Sequence, residues 1–483
     1  MSFLGLDLGT SGLRGLLVDA QGRSLASAER QYSVSHPFPG WSEQDPADWI
    51  AALNGVVNDL RGACAEFRDL QAIGVAGHMH GATLLDASGK VLRPCMLWND
   101  ARAQAEADEL DQTAGVRESS GNIVFAGFTA PKVQWVRRNE PEIFAKIDKV
   151  LLPAAYLNQY LTGSAVADMS DSAGTTWLDV GARDWSDRVL GMTGLSRAQM
   201  PRLVEGAQSA GVLRPELARR WGVPDGVVIA GGAGDNAAAA CGMGVLNEGQ
   251  GFVSLGTSGV LLAARDGYRP APDTAVHTFC HAVPGRWYQM GVMLSATDSL
   301  NWLARITGQD AAALTGVLGD DLIAPGAVRF LPYLSGERTP HNDTAIRGSF
   351  TGLSTATHRE DLTRAVLEGV AFGLRDSLEA LKSADARLDH VFAIGGGAAS
   401  RYWLKLIATV LSVPLALPKG AEFGAALGAA RLARTAATGE PVSEVMRPPE
   451  TDAVIAPDPA VSAAFEDAYH AFKACYSGIK SVQ

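Results

Sequence analysis

The pattern of apolar and polar positions predicts a β-hairpin at the start of the chain. Two short apolar runs, Phe3–Leu8 and Leu13–Val18, flank the turn Gly-Thr-Ser-Gly, and both have the length of strands. Apolar residues then recur at helical spacing from 45 to 68, where an Asp-Pro pair supplies an N-cap and a first-turn proline. Another apolar run, Ala72–Ala76, predicts a strand that leads into a Gly-His-Met-His-Gly segment. This order of elements is typical of an α/β domain that begins with a glycine-rich hairpin.

The same hairpin turn occurs a second time, in the other half of the chain. Leu8-Gly9-Thr10-Ser11-Gly12 recurs as Leu255-Gly256-Thr257-Ser258-Gly259, again between two apolar runs. Five residues could match by chance in a glycine-rich chain, but the identical setting favours a duplicated domain. We therefore expect two mixed α/β domains, residues 1–245 and 246–483, whose two hairpins face each other across a cleft.

The second half continues with alternating helical and strand patterns. An amphipathic helix is predicted over 361–381, a strand over 390–394 and a sharp Gly-Gly-Gly turn directly after it. Further helices are predicted over 400–411 and 424–437. The length of 483 residues agrees with two domains, since one hydrophobic core seldom supports so long a chain.

Composition narrows the class of protein. Hydrophobic residues make up 47% and charged residues 19%, which is ordinary for a globular enzyme and too apolar for disorder. A net charge of −11 without any basic run argues against nucleic acid or a membrane surface as partner. Five scattered cysteines without a Cys-x-x-Cys pair indicate free thiols, and no signal-peptide pattern is present, so a cytoplasmic location is expected.

An aspartate inside the first apolar strand is the first candidate for chemistry. Burying the Asp7 carboxylate is unfavourable unless a cation or a hydrogen-bonding partner compensates it. The turn that follows offers glycine N–H groups and the Thr10 and Ser11 hydroxyls, all suited to phosphate oxygens, and Asp7 suits Mg²⁺. The alternative is a plain hairpin turn. No P-loop motif occurs, and no Gly-x-Gly-x-x-Gly supports a dinucleotide fold.

A second candidate lies in the small-residue stretch Ile229–Gly244. A predicted strand ends in Gly-Gly-Ala-Gly, and Asp235-Asn236 then begins a helix, whose N-terminus stabilises a carboxylate. Asp235 suits a group that accepts a proton or holds a metal ion. The alternative is an ordinary N-cap aspartate, although such caps are not usually preceded by three glycines in four residues.

Two further motifs allow a functional and a structural interpretation. His78-Met79-His80 could bind a sugar hydroxyl through a neutral imidazole, but on sequence alone a structural histidine is the stronger interpretation. The turn Gly395-Gly396-Gly397 would let a flat ring such as adenine lie against the backbone, and a tight β–α turn explains it equally well.

Two long signatures carry a family resemblance over essentially the whole chain. Together with the motifs above, they resemble the FGGY carbohydrate kinases, a branch of the actin/hexokinase/Hsp70-like ATPases. The signatures are Gly127-x-Thr129-x-x-Lys132-Val-x-Trp135-Val-x-Arg138-Asn139 and Gly348-x-Phe350-x-Gly352-Leu353 with Asp361-Leu362-x-x-Ala365-Val-Leu-Glu368. Within the family, the runs GWSEQDP, HMHGATLLD, LWNDAR, DMSDSAGTTWLDV and YLSGERTPHND are most similar to the subgroup that acts on D-xylulose.

The resemblance implies two duplicated ribonuclease H-like α/β domains flanking an active-site cleft, and it implies roles for single residues. Asp235 matches the catalytic base, and Asp7, with Asp235, the carboxylates that position Mg²⁺. The nucleotide contacts and the sugar contacts implied are Thr10, Ser11, Arg14, Gly256, Thr257, Gly396, Gly397 and Ser400 for ATP, and Met79, His80, Asp235 and Asn236 for the sugar. Two positions depart from the subgroup: Ala399 replaces a frequent Arg, and Arg14 a frequent Lys.

The implied reaction is ATP-dependent phosphorylation of D-xylulose to its 5-phosphate, with Asp235 as base and Mg²⁺ as metal. Another pentulose or a polyol is the alternative substrate, because epimers can differ through one hydroxyl. A rival class keeps the fold but not the reaction: a non-kinase ATPase related to Hsp70 or actin. The sequence leaves the oligomeric state open, with a homodimer as one arrangement.

Overall fold

A computed structural model describes residues 1–420 and 424–482 and divides the chain into two compact units. Unit 1 contains Met1–Leu246, Phe279–Trp287 and residues 424–448, and unit 2 contains Asn247–Thr278 with residues 288–420 and 449–482. Both units are therefore discontinuous in sequence, and the predicted division at residue 245 stays a prediction. Within the described ranges, no helix is both long and apolar enough to span a membrane.

Unit 1 is built on a mixed seven-stranded sheet in which the predicted hairpin is central. The strand order is β5-β6-β4-β1-β2-β3, and β7 pairs with β4 beyond the end of β6. The strands are β1 Ser2–Leu8, β2 Gly12–Asp19, β3 Ser24–Gln31, β4 Leu70–Gly77, β5 Ser209–Val212, β6 Val228–Ala230 and β7 Ala233–Gly234. β1 runs antiparallel to β2 and parallel to β4, so the carboxyl ends of β1, β4 and β7 share one edge.

Alternation along β1 explains how both faces of this sheet are covered. Leu4, Leu6 and Leu8 join a core with the helices Pro46–Ala63 (α1) and Pro153–Thr162 (α3) on one face. Gly5 points to the other face, where a Cβ atom would lie 1.8 Å from the Ala426 carbonyl oxygen. The helices of unit 1 used below are α1 Pro46–Ala63, α2 Thr129–Asn139, α3 Pro153–Thr162, α4 Met169–Ser172 and α5 Asp235–Met243.

A helix from late in the sequence covers the second face of the same sheet. This helix, Gly424–Thr438, lies against β1, β4 and α5, and it belongs to unit 1. A Cβ atom on Gly74 of β4 would lie 2.0 Å from the Ala429 carbonyl oxygen. Only glycine lets the helix backbone approach the strands so closely. The predicted helix over 424–437 is thus confirmed, and its place on the first hairpin's sheet is a result of the structure.

Unit 2 repeats the hairpin in a second seven-stranded sheet. Its strand order is β10-β11-β9-β8-β12-β13-β14, and β8 pairs antiparallel with β9 and parallel with β12. The strands are β8 Gly249–Leu255, β9 Gly259–Arg265, β10 His277–Cys280, β11 Trp287–Met293, β12 Leu388–Ile394, β13 Leu415–Pro418 and β14 Thr451–Ile455. The arrangement around β8 is therefore the arrangement around β1, as the sequence repeat predicts.

Four helices form the core of unit 2 with this sheet. They are α6 Thr297–Thr307, α7 Arg359–Ser383, α8 Arg401–Leu411 and, after the Gly424–Thr438 helix (α9), α10 Ser462–Lys480. α7 is buried along most of its length, with Val366, Val370 and Leu374 inaccessible to solvent. Its bounds confirm the helix predicted over 361–381 and extend it at both ends.

Shorter elements complete the two units. The short helices are Gln104–Asp111, Val116–Ser120, Pro141–Phe144, Asp187–Met192, Pro215–Trp221, Ala311–Gly316 and Val442–Val445. The 3-10 turns are Ala65–Asp69, Ala173–Thr175, Arg197–Gln199, Pro272–Thr274 and Gly396–Ala399. The short strands are Glu43–Gln44, Thr83–Leu85, Cys95–Met96, Lys149–Leu151, Val166–Asp168, Leu178–Asp179, Asp184–Trp185, Arg202–Val204, Arg329–Leu331 and Ser349–Thr351.

Candidate active site

Two predicted aspartates meet at the carboxyl edge of the unit 1 sheet. Asp7 pairs in register with Ala76 of β4, and Ala76 pairs with Ala233 of β7, two residues before Asp235. Asp235 is the first residue of α5, after Gly234 in extended conformation at the N-cap. Its Oδ1 accepts hydrogen bonds from the Asn236 backbone N–H at 2.7 Å and from Asn236 Nδ2 at 2.9 Å. The carboxylate is thereby held at a helix N-terminus, where the helix dipole favours the anion.

Burial makes both carboxyl groups weaker acids than usual. Burial and, to a smaller extent, the neighbouring Asp235 charge raise the pKa of Asp7 to about 7, and Arg14 opposes the rise. Burial raises the pKa of Asp235 to about 6, against the lowering effect of the two hydrogen bonds from Asn236. The buried negative charges of two neighbouring carboxylates are unfavourable unless a cation compensates them. The pair therefore suits a bound cation, and Asp235 also suits the acceptance of a proton.

The carboxylate oxygens at this edge fit a hard cation that keeps other ligands, such as water or phosphate. Over residues 1–420 and 424–482, no group of three or more His, Cys, Asp or Glu side chains could hold a metal ion. Mg²⁺ is usually held by one or two carboxylates together with water and substrate phosphates. Asp7 and Asp235 therefore fit a magnesium ion that arrives with a phosphate ligand.

Side chains from three other segments hold the turn of the first hairpin. Gln44 Nε2 donates to the Thr10 carbonyl oxygen at 2.6 Å, and Trp98 Nε1 donates to Thr10 Oγ1 at 3.1 Å. Tyr32 donates from its hydroxyl to the Gly9 carbonyl at 2.5 Å and from its N–H to the Ser11 carbonyl at 3.1 Å. Arg14 forms an ion pair with Glu29 on β3 at 3.0 Å. The turn is fixed before any ligand binds, while Ser11 remains exposed.

Met79 and His80 lie beside the start of α5. A Cβ atom on Gly234 would lie 2.8 Å from Met79 Cγ, so the methionine contacts the residue before the Asp235 carboxylate. His80 has a φ of 69°, a left-handed conformation that is strained for a non-glycine residue. Its ring stacks on Phe128 with a centroid separation of 4.6 Å, and its Nδ1 lies 2.7 Å from the Gly174 carbonyl oxygen. Met79 thus lies against the residue that precedes Asp235, and His80 follows it in the chain.

A buried lysine of the first signature supports this strained residue. Lys132 Nζ donates to the His80 carbonyl at 2.9 Å and to the Gly127 carbonyl at 2.6 Å, and its side chain is inaccessible to solvent. Burial lowers the pKa of Lys132 to about 7. The first signature thereby acts on the local conformation of His80. His78, by contrast, is buried against Trp49, and burial lowers its pKa to about 3, which keeps it neutral.

Sequence reasoning missed Trp98 as a neighbour of the hairpin. Its side chain is 40% exposed although it is large and apolar, and its indole N–H bonds to Thr10 as described. The run LWNDAR contains this tryptophan, but spacing alone could not connect it to residue 10. Its position is set by tertiary structure, not by local pattern.

The remaining predicted residues lie in unit 2, in the turn between β8 and β9 and in the segment that follows β12. Gly256 and Thr257 form the turn between β8 and β9, and the N-terminal residues of α6 donate hydrogen bonds to their carbonyl oxygens. The Gly395-Gly396-Gly397 turn follows β12, and Ser400 Oγ accepts from the Trp403 N–H at 3.3 Å as the N-cap of α8.

A cavity of about 410 Å³ opens beside this glycine turn. Its lining is formed by Thr297, Leu300, Asn301, Ala311, Ala312, Thr315, Gly396, Gly397, Ala399, Ser400 and Trp403. The lining is neutral, with a few polar groups among apolar ones, as is usual for a pocket that binds a flat ring. Ala399 leaves this lining without a charged side chain, in agreement with the departure noted in the sequence.

Comparison with known proteins identifies close relatives. A curated xylulose kinase of Escherichia coli is 48% identical over 440 residues, covering 91% of this chain and 90% of that protein. A curated xylulose kinase of Streptomyces coelicolor is 34% identical, covering 92% of this chain and 90% of the relative. A solved xylulose kinase from Brucella ovis has a TM-score of 0.98 at 54% identity, with full coverage of both chains.

Family models and a distant fold neighbour complete the assignment. The model for the N-terminal domain of the FGGY family of carbohydrate kinases matches residues 2–242, and the model for its C-terminal domain matches 251–437. A solved glycerol kinase of Plasmodium falciparum with ADP has the same fold, with a TM-score of 0.87, 20% identity and 98% coverage of each chain. The predicted actin/hexokinase-like fold class and the predicted sugar kinase class are thus confirmed. The chain belongs to the FGGY family of carbohydrate kinases.

Proposed function

We propose that this protein transfers the γ-phosphoryl group of Mg²⁺·ATP to the C5 hydroxyl of D-xylulose, which gives D-xylulose 5-phosphate and ADP. The observation that carries the proposal is the arrangement at the carboxyl edge of unit 1. There Asp235, at the start of α5, shares an edge with Asp7 and contacts the Met79-His80 segment through Gly234. The xylulose kinases among the relatives support the choice of sugar.

Asp235 acts in this proposal as the general base for the sugar hydroxyl. A pKa of about 6 leaves the carboxylate ionised at neutral pH and still basic enough to accept a proton as the new bond forms. Phosphoryl transfer has a loose transition state, so orientation of the hydroxyl contributes more than early removal of its proton. The two hydrogen bonds from Asn236 fix Oδ1 and leave Oδ2 for the substrate.

Met79 and His80 bind the sugar beside this base. The ring of His80 is held by Phe128 and by the Gly174 carbonyl, so the orientation of this polar side chain is fixed before a sugar binds. A rigid contact of this kind discriminates epimers, because a misplaced hydroxyl leaves a polar group without a partner. Another pentulose or a polyol is the second candidate substrate for the same residues.

Each unit contains residues to which this proposal assigns nucleotide contacts. The adenosine moiety occupies the neutral cavity beside Gly396, Gly397 and Ser400, and the turn at Gly256-Thr257 contributes N–H groups to the phosphates. Thr10, Ser11 and Arg14 contact the phosphates from unit 1. Asp7 and Asp235 would hold Mg²⁺, which supplies neutralisation of charge on the phosphoryl oxygens when bound. The predicted cytoplasmic location and the homodimer stay predictions.

The test is ADP release with Mg²⁺·ATP across D-xylulose, D-ribulose, L-ribulose, L-xylulose, glycerol and a blank without sugar. D-Xylulose should give the highest kcat/KM, and the blank should give only slow ATP hydrolysis. The Asp235→Asn variant should fold normally and lose about 10³-fold in kcat, since a positioned general base contributes 10²- to 10⁴-fold. Asp48→Asn is the matched control, because Asp48 also lies in the first turn of a helix but is exposed.

Each outcome bears on a separate part of the proposal. A preference for a different sugar would retain the kinase reaction and replace D-xylulose as substrate. Near-normal turnover by Asp235→Asn would remove Asp235 from the role of base. ADP release that ignores every sugar would contradict the proposed acceptor reaction as a whole.

A further inference from the structure

A chain of buried hydrogen bonds leads from the short helix α4 to the residue before the proposed base. The Gly234 N–H donates to Ser170 Oγ at 3.1 Å, and the Ser170 hydroxyl donates to Asp168 Oδ2 at 2.5 Å. Ser170 is inaccessible to solvent and Asp168 is 2% exposed. These three groups come from the run DMSDSAGTTWLDV and from the glycine-rich approach to Asp235, two motifs that the proposed reaction does not otherwise connect.

Asp168 fixes the direction of the Ser170 hydroxyl. The Asp168 carboxylate is the N-cap of α4 and accepts from the Ser170 N–H at 2.6 Å and from the Asp171 N–H at 3.3 Å. A serine hydroxyl has one proton to donate and lone pairs that accept. Because its proton is directed to Asp168, Ser170 turns a lone pair toward the Gly234 N–H. The two side chains therefore act as one rigid acceptor for that N–H group.

Gly234 connects this acceptor to the proposed base, because it directly precedes Asp235. It is the N-cap of α5, with φ −62° and ψ 152°, and no side chain caps that helix end through its own hydrogen bond. A Cβ atom at Gly234 would lie 2.8 Å from Met79 Cγ, so the residue held by Ser170 lies against the Met79 side chain and directly precedes Asp235. A rotation about the Gly234 backbone would turn the Asp235 carboxylate relative to Met79 and His80.

We propose that Asp168 and Ser170 are positioning residues that hold the start of α5, and through it the Asp235 carboxylate, in the orientation required for phosphoryl transfer. The inference rests on the proposed function, because it assigns the pair an effect on the Asp235 base. Neither residue touches substrate in this account. Their effect is on alignment, and a misplacement of about 1 Å at a reacting group can lower the rate about 10²-fold.

The same short helix supplies a matched control. Ser172 lies two residues from Ser170, is also inaccessible to solvent, and has a hydroxyl without a hydrogen-bond partner among the described residues. Replacing either serine by alanine removes the same atom from an equally buried place. Only Ser170→Ala leaves the Gly234 N–H and the Asp168 carboxylate without their shared partner.

The experiment compares Ser170→Ala, Ser172→Ala, Asp235→Asn and the double variant Ser170→Ala/Asp235→Asn. Phosphoryl transfer is measured by rapid quench, so that slow product release does not hide the chemical step, and KM is measured for D-xylulose and for ATP. Ser170→Ala should lower the transfer rate about 30- to 100-fold with both KM values within threefold. Ser172→Ala should stay within threefold of the wild-type rate.

The double variant separates positioning from a general loss of structure. If Ser170 acts through Asp235, adding Ser170→Ala to Asp235→Asn should change the residual rate less than twofold, because the group it positions is already lost. A further loss equal to that of the single variant would overturn the proposal, as would equal rates for Ser170→Ala and Ser172→Ala. The melting temperatures of all four variants are recorded by circular dichroism.

A second substitution keeps the test decisive if Ser170→Ala does not fold. Ser170→Cys retains the shape of the side chain but provides only a weak donor and acceptor. It should lower the transfer rate at least tenfold with unchanged KM values, and wild-type transfer by a folded Ser170→Cys variant would overturn the proposal. Failure of the proposed function is distinguishable, because it shows in the wild type and in Asp235→Asn before any serine variant is compared.

Discussion

The two hairpins of this chain have the same five-residue turn but different flanking residues. In unit 1 the turn follows Asp7, and Arg14 comes two residues after its last glycine. In unit 2 the equivalent positions are Ser254 and Leu261. The duplicated framework has therefore kept the glycine turn in both copies, whereas the charged groups occur in one copy only.

The two turns are also held in different ways. Side chains of Tyr32, Gln44 and Trp98 fix the first turn, as described above. The second turn is held mainly by the backbone of 296–298, whose N–H groups donate to the Gly256 and Thr257 carbonyl oxygens at 2.8 to 3.3 Å. In the proposed function, unit 1 therefore carries the charged groups of the reaction, and the turn of unit 2 lies beside a neutral pocket.

The largest expected difference between the copies comes from substituting the residue before each turn. Asp7→Asn should lower kcat about 10²-fold at saturating Mg²⁺·ATP, because an oriented charge at the phosphoryl group is lost. Ser254→Ala, at the equivalent position, should stay within threefold of wild type. Steady-state kinetics over a range of Mg²⁺ concentrations measures both. Equal losses of kcat in the two variants would contradict the proposal that only the first hairpin contributes a charged group to the reaction.

The same pair of variants should differ in the pH dependence of stability. Burial raises the pKa of Asp7 from 3.8 to about 7, so between about pH 4 and pH 7 the folded state binds more protons than the unfolded state. Stability contributed by this group therefore falls as pH rises through that window. Asp7→Asn removes the unfavourable charge and should raise the melting temperature at pH 8 by a few degrees, and less at pH 5.

Ser254→Ala serves again as the control, since it should shift the melting temperature equally at both pH values. Thermal unfolding without nucleotide at pH 5 and pH 8 is the measurement. A lower melting temperature for Asp7→Asn at pH 8 would show that the carboxylate is compensated within the folded protein.

The smallest effect is expected from single contacts that hold the turns. Thr297→Val removes the hydrogen bond from Thr297 Oγ1 to the Gly256 carbonyl at 2.7 Å, while the backbone bonds of the same segment remain. Trp98→Phe removes the indole bond to Thr10 Oγ1. Each lost bond is worth about 1 kcal/mol, so each variant should raise the KM for ATP by about two- to fivefold. A tenfold rise for Thr297→Val would show that the second turn also depends on side chains.

Local pattern predicted the two hairpins and several of the main helices and strands, and it drew attention to the two aspartates of the candidate site. The glycine turn between apolar runs predicted both hairpins, and the unusual positions of Asp7 and Asp235 could be recognised because each departs from an otherwise apolar or small-residue environment. The Gly-Gly-Ala-Gly approach to Asp235 also predicted a strand-to-helix junction, as observed.

Contacts between distant segments could not be predicted in this way. The bond from Gly234 to Ser170 joins residues 64 positions apart, and the bond from Trp98 to Thr10 joins residues 88 positions apart. The left-handed conformation of His80 depends on Lys132 and Phe128, which no local pattern associates with it. Such features arise from tertiary packing, which overrides or adds to local preference.

The position of helix α9 has a consequence for synthesis of the chain on the ribosome. An N-terminal polypeptide that stops at residue 246 contains every strand of the first sheet but lacks the helix that packs on Gly5 and Gly74. The face of that sheet stays uncovered until nearly the whole of unit 2 has emerged. Folding in strict N- to C-terminal order, which is the usual course for successive domains, is therefore unavailable to this protein. Strand β14 and helix α10 of unit 2 follow α9 in the sequence, so neither unit is complete until the last part of the chain has been synthesised.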